Sequence, residues 1–207
     1  MKLVAHNTPK TASSLCNLIY ADSARKCTWV TNFRDLMMID ERTRRIYTSA
    51  YNPLHNSVLT TFADKLISFI LIDSKENIWA AEWGSSIYKY DAELKICKVY
   101  QTSRKTQPER KLLKQHEIIS TLCMYEDSHG TIWIGNDHNG LYRYEPGSNT
   151  LEIISGKVND QKGLQYNYNF ICISEDRDGN IWLGTDKGIN IFNPYDQYFN
   201  SITHEEH

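Results

Sequence analysis

The chain has 207 residues, 41% hydrophobic, 12% aromatic and 23% charged, an ordinary globular composition that argues against disorder and suffices for a buried core. Twenty-three basic against 25 acidic residues leave a net charge of −2, so no basic field is present to hold nucleic acid. The apolar run Phe69–Ile72 stops at Asp73, far short of the roughly 20 residues of a membrane helix, so no membrane segment is expected. Near the N-terminus, Leu3, Val4 and Ala5 are followed at once by His6 and Asn7, which is no signal-peptide core. That predicts either a cytoplasmic protein or a piece without its native start. Five cysteines (16, 27, 97, 123, 172) with no C-x-x-C pair give neither a fully paired disulfide framework nor zinc-ribbon spacing.

One motif recurs along the chain. It begins as an eroded copy, Asp22 to Trp29 followed by Leu36-Met-Met-Ile-Asp40. It returns as Asp73 to Trp79 with the alternating segment Ile87–Asp91, and as Asp127 to Trp133 with Leu141–Glu145. The last copy is Asp176 to Trp182 with Ile189–Asn193. Trp29, Trp79, Trp133 and Trp182 are thus spaced by 50, 54 and 49 residues, and only Trp83 among the five tryptophans falls outside the series. A fixed period of this size marks a repeat architecture.

Each copy reads as four short strands, because the apolar residues alternate by two rather than at helical spacing. In the last copy these are 170–175, 181–185, 189–192 and about 197–202. Gly179 and Gly130 supply the positive φ of the first hairpin turn, and Gly188, Gly140 and Gly84 that of the second. The second copy has Glu76 in place of the first glycine, just before Asn77, which tolerates left-handed geometry. A four-stranded sheet every ~50 residues matches the period of propeller blades. The fold class is therefore all-β: a β-propeller-type array of about four four-stranded antiparallel blades over 11–49, 63–100, 116–155 and 167–203. One sheet cannot bury both its faces, so the four repeat tryptophans are predicted to be core, packed between neighbouring blades.

The turn Asp176-Arg-Asp178-Gly-Asn180 invites a calcium reading. A calcium loop of the EF-hand type needs Gly at its sixth place and Glu at its twelfth, which here hold Ile181 and Lys187. Asx-turn chemistry is the better account, and no metal or cofactor is expected.

Ile171, Asp176, Gly179, Ile181, Trp182, Gly184, Thr185, Gly188, Ile189 and Phe192 follow a pattern that resembles the two-component regulator propeller repeat. The third copy carries it through Asp127, Gly130, Trp133, Gly135, Gly140, Leu141 and Tyr144, whereas Trp79-Ala-Ala81 and Trp29-Val-Thr31 lack the following glycine. The resemblance implies the extracytoplasmic, periplasmic sensor of a hybrid two-component system typical of Bacteroidetes, recognising oligosaccharides. It also implies a histidine kinase and regulator that no motif in these 207 residues supplies. Such sensors have propellers of about seven blades, and four blades would leave apolar faces exposed. Self-association into a dimer is therefore expected.

Meander geometry predicts the binding edge. The turn between second and third strands lies on the same side as the blade-to-blade crossovers, and two crossovers, about 102–117 and 155–168, are long. Trp83 with Glu82, Asn136 with Asp137 and His138, and Asp186 with Lys187 fall in those turns; His116, Tyr166 and Tyr168 fall in the crossovers. Aromatic faces with amides and carboxylates suit sugar recognition, and Trp83 is the leading candidate. The basic group Arg104, Lys105, Arg110, Lys111 and Lys114 reads as a solvated loop, with an anionic-glycan site as the alternative. A glycan-cleaving propeller would need a metal-assisted base or a carboxylate pair. Nothing in the spacing of Asp137, His138 and Glu82 sets them apart in that way, so the chain is read as a non-enzyme. A protein-interaction scaffold is the third reading.

Overall fold

A computed structural model describes residues 16–32, 35–84, 86–101, 120–137, 140–154, 164, 169–194 and 199–203. The chain divides into two compact units, Met1–Val99 and Tyr100–His207. The first sheet is a meander of β1 (Cys16–Asp22), β2 (Cys27–Asn32), β3 (Leu36–Asp40) and β4 (Ile46–Thr48). After a short helix α1 (Ser57–Thr61) the second follows as β5 (Ile67–Ile72), β6 (Ile78–Glu82), β7 (Ser86–Tyr90) and β8 (Ile96–Gln101). The third is β9 (Thr121–Glu126), β10 (Ile132–Asn136), β11 (Leu141–Glu145) and β12 (Thr150–Ile154), and the fourth β13 (Phe170–Glu175), β14 (Ile181–Thr185), β15 (Gly188–Phe192) and β16 (Phe199–Thr203). All four sheets are antiparallel, with strands in sequence order. Helix α1 was not legible as a helix from periodicity. Asn56 caps it by accepting from the amides of Val58 and Leu59, and both of those side chains are fully buried.

One carboxylate organises each hairpin between first and second strands. Asp127 Oδ1 accepts from the His129 and Thr131 amides at 3.0 and 2.9 Å, while Oδ2 accepts from Trp133 Nε1 at 2.8 Å. Asp73 holds Asn77 and Trp79 in the same way, with 2.9 Å to Trp79 Nε1. Asp176 holds Asn180 and Trp182, at 2.8 Å to the indole, and Asp22 holds Trp29 at 3.1 Å. The indole and then the Asn180 side chain hold the Asp176 carboxyl down at about 2. The repeat spacing thus encodes an Asx turn locked to a tryptophan. Gly130 and Gly179 take φ of 80° and 79° in that turn, but in the second copy Glu76, not Asn77, is left-handed, at φ 62°. The Asn77 side chain bonds Asp73 instead, so the turn is held without glycine.

Packing follows one rule in both units: the tryptophan-bearing face of one sheet meets the opposite face of the next. In the first unit Trp29 shares a core with Ile70, Ile78, Ala80 and Tyr90. Arg25 ties the hairpins together, donating to the Glu76 and Ala92 carbonyls at 2.6 and 2.9 Å. In the second unit the Trp133 and Phe192 rings meet edge to face at 5.2 Å. Glu175 accepts from the Ser128 amide and hydroxyl at 2.7 and 2.6 Å. Trp29, Trp79 and Trp133 are buried, as the sequence predicts.

Trp182 is the correction. It keeps its bond to Asp176 yet remains 37% exposed, because among the described residues of the second unit no sheet packs over its face as the fourth packs over that of Trp133.

The glycine two residues after Trp133 has a packing reason. A Cβ at Gly135 would stand 2.6 Å from both Cys123 Sγ and Phe170 Cβ, so this glycine lets the fourth sheet approach the third. We expect Gly135→Ala to cost ~1–3 kcal/mol in denaturant melts. Gly147→Ala, where nothing lies within 4 Å, should leave the midpoint in place.

Candidate functional site

Trp83, Asp137 and Asp186 are equivalent: each is the fourth residue after a repeat tryptophan and the first after the second strand of its sheet. In the first unit the Trp83 amide donates to the Leu66 carbonyl at 2.8 Å, which pins the turn to the start of β5. Its ring is left 41% exposed. The neighbouring Glu82 turns inward: its Oε2 accepts from Tyr88 Oη at 3.0 Å and Lys65 Nζ at 3.5 Å. Burial works against the Lys65 charge, but Tyr88 and Glu82 outweigh it and raise its pKa. Lys65 also lies 4.7 Å from the Tyr88 ring centre. Glu82 is thus a support for the turn, not a free carboxylate beside Trp83.

In the second unit the Asp137 amide donates to the Ser120 carbonyl at 3.0 Å, and Asp137 Oδ1 accepts from the Ser120 amide at 2.8 Å. The Asn169 amide donates to the Asp137 carbonyl at 2.8 Å, and its Nδ2 donates to Asp186 Oδ2, also at 2.8 Å. Asn169 therefore joins the second–third turns of the third and fourth sheets, which places Asp137 and Asp186 on one edge with the start of β13. The sequence reading did not single out Asn169. Its signal was an asparagine directly before a strand, and the residue takes the left-handed conformation at φ 52°.

Asn136 is wholly buried: its Oδ1 accepts from Thr121 Oγ1 at 3.2 Å and its Nδ2 donates to the Gly140 carbonyl at 3.3 Å. Its amide is used inside the sheet, leaving none of it for a ligand. Asp186 and Lys187 are exposed, and the Lys187 amide bonds Thr185 Oγ1. His116, His138, Tyr166 and Tyr168, the basic group 104–114 and nearly all of both long crossovers lie outside the described residues.

Chemically the turn of the first unit offers an exposed indole, and the turns of the second offer exposed or half-buried carboxylates, a lysine and an amide. Among the described residues no group of three or more His, Cys, Asp or Glu is placed to hold a metal ion. Burial, with the Cys172 thiol adding to it, pushes the Cys123 thiol up to about 12, and burial with Asp22 does the same for Cys27. Neither is a thiolate nucleophile at neutral pH.

Four antiparallel meanders, each stitched by an Asp–Trp pair and stacked face to face within each unit, define a β-propeller-type repeat protein. Residues 115–138 and 163–187 match the family described as two component regulator propeller. No curated protein matches the sequence. Among solved structures, the chain is similar to the extracellular domain of the hybrid two component system BT3049 from B. thetaiotaomicron, with a TM-score of 0.61 at 20% identity. That match covers 96% of this chain and 25% of the other. The corresponding domain of BT4673 from the same organism gives a TM-score of 0.60 at 15% identity, over 87% of this chain and 21% of that one. Virginiamycin B lyase from Staphylococcus aureus, in a catalytically inactive form with quinupristin, gives 0.59 at 16% identity over 98% and 59% of the two chains. At these identities the shared property is the fold, and the chain spans about a quarter of the length of those two extracellular-domain chains.

Proposed function

We propose that the chain is part of the extracytoplasmic sensor of a hybrid two-component system, and that the second–third turn of its second sheet, at Trp83, binds an oligosaccharide. The observation that carries this reading is Trp83, an indole held by a backbone bond on a rigid turn and left 41% exposed while three repeat tryptophans are buried. An exposed aromatic face stacks on the C–H face of a sugar ring at little entropic cost. The matched repeats and the likeness to extracellular domains of two-component systems support the sensor role. In that arrangement the kinase and regulator would lie in other parts of the system.

The test is calorimetric titration of the whole chain with neutral and anionic oligosaccharides. Binding without turnover is expected, and Trp83→Ala should weaken it at least tenfold, about 1.4 kcal/mol, with no change in melting temperature. Equal binding by that variant would move the site elsewhere. Cleavage of a panel member would instead favour a lyase-type enzyme, the reading to which the fold shared with virginiamycin B lyase points.

A further inference from the structure

In the second sheet Ile67 pairs with Glu82, which brings the start of β5 against the end of β6. The bond from the Trp83 amide to the Leu66 carbonyl carries that pairing one step past the strands, so Leu66 and Trp83 are neighbours at the turn. Both are large and apolar, and both are open to solvent, Leu66 at 45% and Trp83 at 41%. Together they form a two-residue apolar platform in the first unit, the kind of surface that the C–H face of a sugar ring covers.

The charges that flank this platform are not those an anionic ligand needs. Lys65, directly before Leu66, donates to Tyr88 Oη at 2.6 Å and to Glu82 Oε2 at 3.5 Å. Glu82, directly before Trp83, is the carboxylate that answers it, and it accepts from Tyr88 Oη as well. A cation already held by a carboxylate and a phenol has its counter-charge, and drawing it toward an anion would leave Glu82, only 21% exposed at its side chain, without its ion pair. Asp64, two residues before Leu66, adds a further exposed carboxylate and takes a left-handed backbone at φ 61°. Chain geometry keeps its backbone within about 7 Å of that of Leu66, inside the Debye length of about 8 Å at physiological salt. Among the described residues flanking the platform, two carboxylates therefore stand against one ammonium.

Resting on the reading of Trp83 as a sugar platform, we propose that this turn selects uncharged oligosaccharides over uronates and sulfated sugars, with Leu66 as the second half of the stacking surface. An acidic ring laid on Trp83 and Leu66 gives up water at its carboxylate, gains no uncommitted cation in return, and meets the field of Asp64. The hydroxyls of a neutral ring carry no such penalty.

Calorimetric titration of the full chain at low salt tests this, with cello- and manno-oligosaccharides as neutral probes and oligogalacturonate and a heparin oligosaccharide as anionic ones. A neutral probe should bind in a manner that Trp83→Ala weakens, and each anionic probe should bind about tenfold more weakly or not at all. Oxidising the primary alcohols of the neutral binder to carboxylates should cost it about tenfold, and part of that loss should return at high salt. Asp64→Asn keeps a residue that tolerates the left-handed backbone; it should recover roughly two- to threefold for the oxidised probe and leave the neutral one unchanged. Leu66→Ala should weaken the neutral probe about threefold at an unchanged melting temperature. An anionic probe that binds through Trp83 as tightly as any neutral one, as the basic group 104–114 would favour, overturns the selection and leaves the sugar platform standing. Neutral binding that Leu66→Ala leaves intact removes Leu66 from the site. A panel in which nothing binds overturns the reading of Trp83 itself, and the selection with it.

Discussion

Trp133→Ala is expected to destabilise the second unit by ~3–5 kcal/mol, whereas Trp182→Ala at the same repeat position should cost about 2 kcal/mol or less. Trp133 is 1% exposed, its ring abuts Phe192 at 5.2 Å, and its truncation opens a cavity between two sheets that Gly135 has already drawn together. Trp182 makes the same indole bond, at 2.8 Å in both cases, so the hydrogen bond cannot account for a difference between them. What differs is the second face of the ring, which a neighbouring sheet covers at Trp133 and leaves open at Trp182. Denaturant melts should be run at dilutions where light scattering gives one chain, since a partner over Trp182 would add to its apparent cost. Equal losses under those conditions would refute the view that inter-sheet burial, rather than the Asp–Trp lock, carries the stability of this position.

The second large effect concerns that lock. Asp127→Ala should cost ~3 kcal/mol, because it removes the acceptor of three donors and leaves the Trp133 Nε1 proton unpaired in the core. Asp127 is itself buried, at 6% exposure, so water does not simply replace the carboxylate. Asp127→Asn should fall between the two: its carbonyl oxygen keeps an acceptor for the turn amides, while its NH2 group faces the indole N–H. A double-mutant cycle with Trp133→Phe separates the contributions. In the Phe background the loss on Asp127→Ala should shrink by roughly the penalty of one buried unpaired donor, 1–3 kcal/mol. An undiminished loss would mean that Asp127 acts through the turn alone.

These two cases show where sequence reasoning reached and where it stopped. The spacing of Trp29, Trp79, Trp133 and Trp182, with an acidic residue six or seven places before each, already contained the sheet unit, its hairpin and its strand order. Such features depend on neighbours within one repeat, and local chemistry is written in local sequence. The left-handed residue of the second copy was less legible: Glu76 takes that conformation because Asp73 and Asn77 hold the turn around it, and its own propensity does not announce this. For the candidate edge, the turn positions of Trp83, Asp137 and Asp186 followed from the meander. Glu82 and Asn136 looked equivalent to them in sequence but are drawn into Lys65–Tyr88 and Thr121–Gly140 contacts.

The sequence by itself determined the repeat, the strand alternation within it and the family whose pattern it follows, because each rests on periodicity and on residues a few places apart. Only the tertiary structure decided which tryptophan is covered, which partners hold each carboxylate and that Asn169 joins two turns. Those outcomes depend on what lies across the sheet face or in the next repeat, and identical local motifs such as those of Trp133 and Trp182 carry no record of their neighbours.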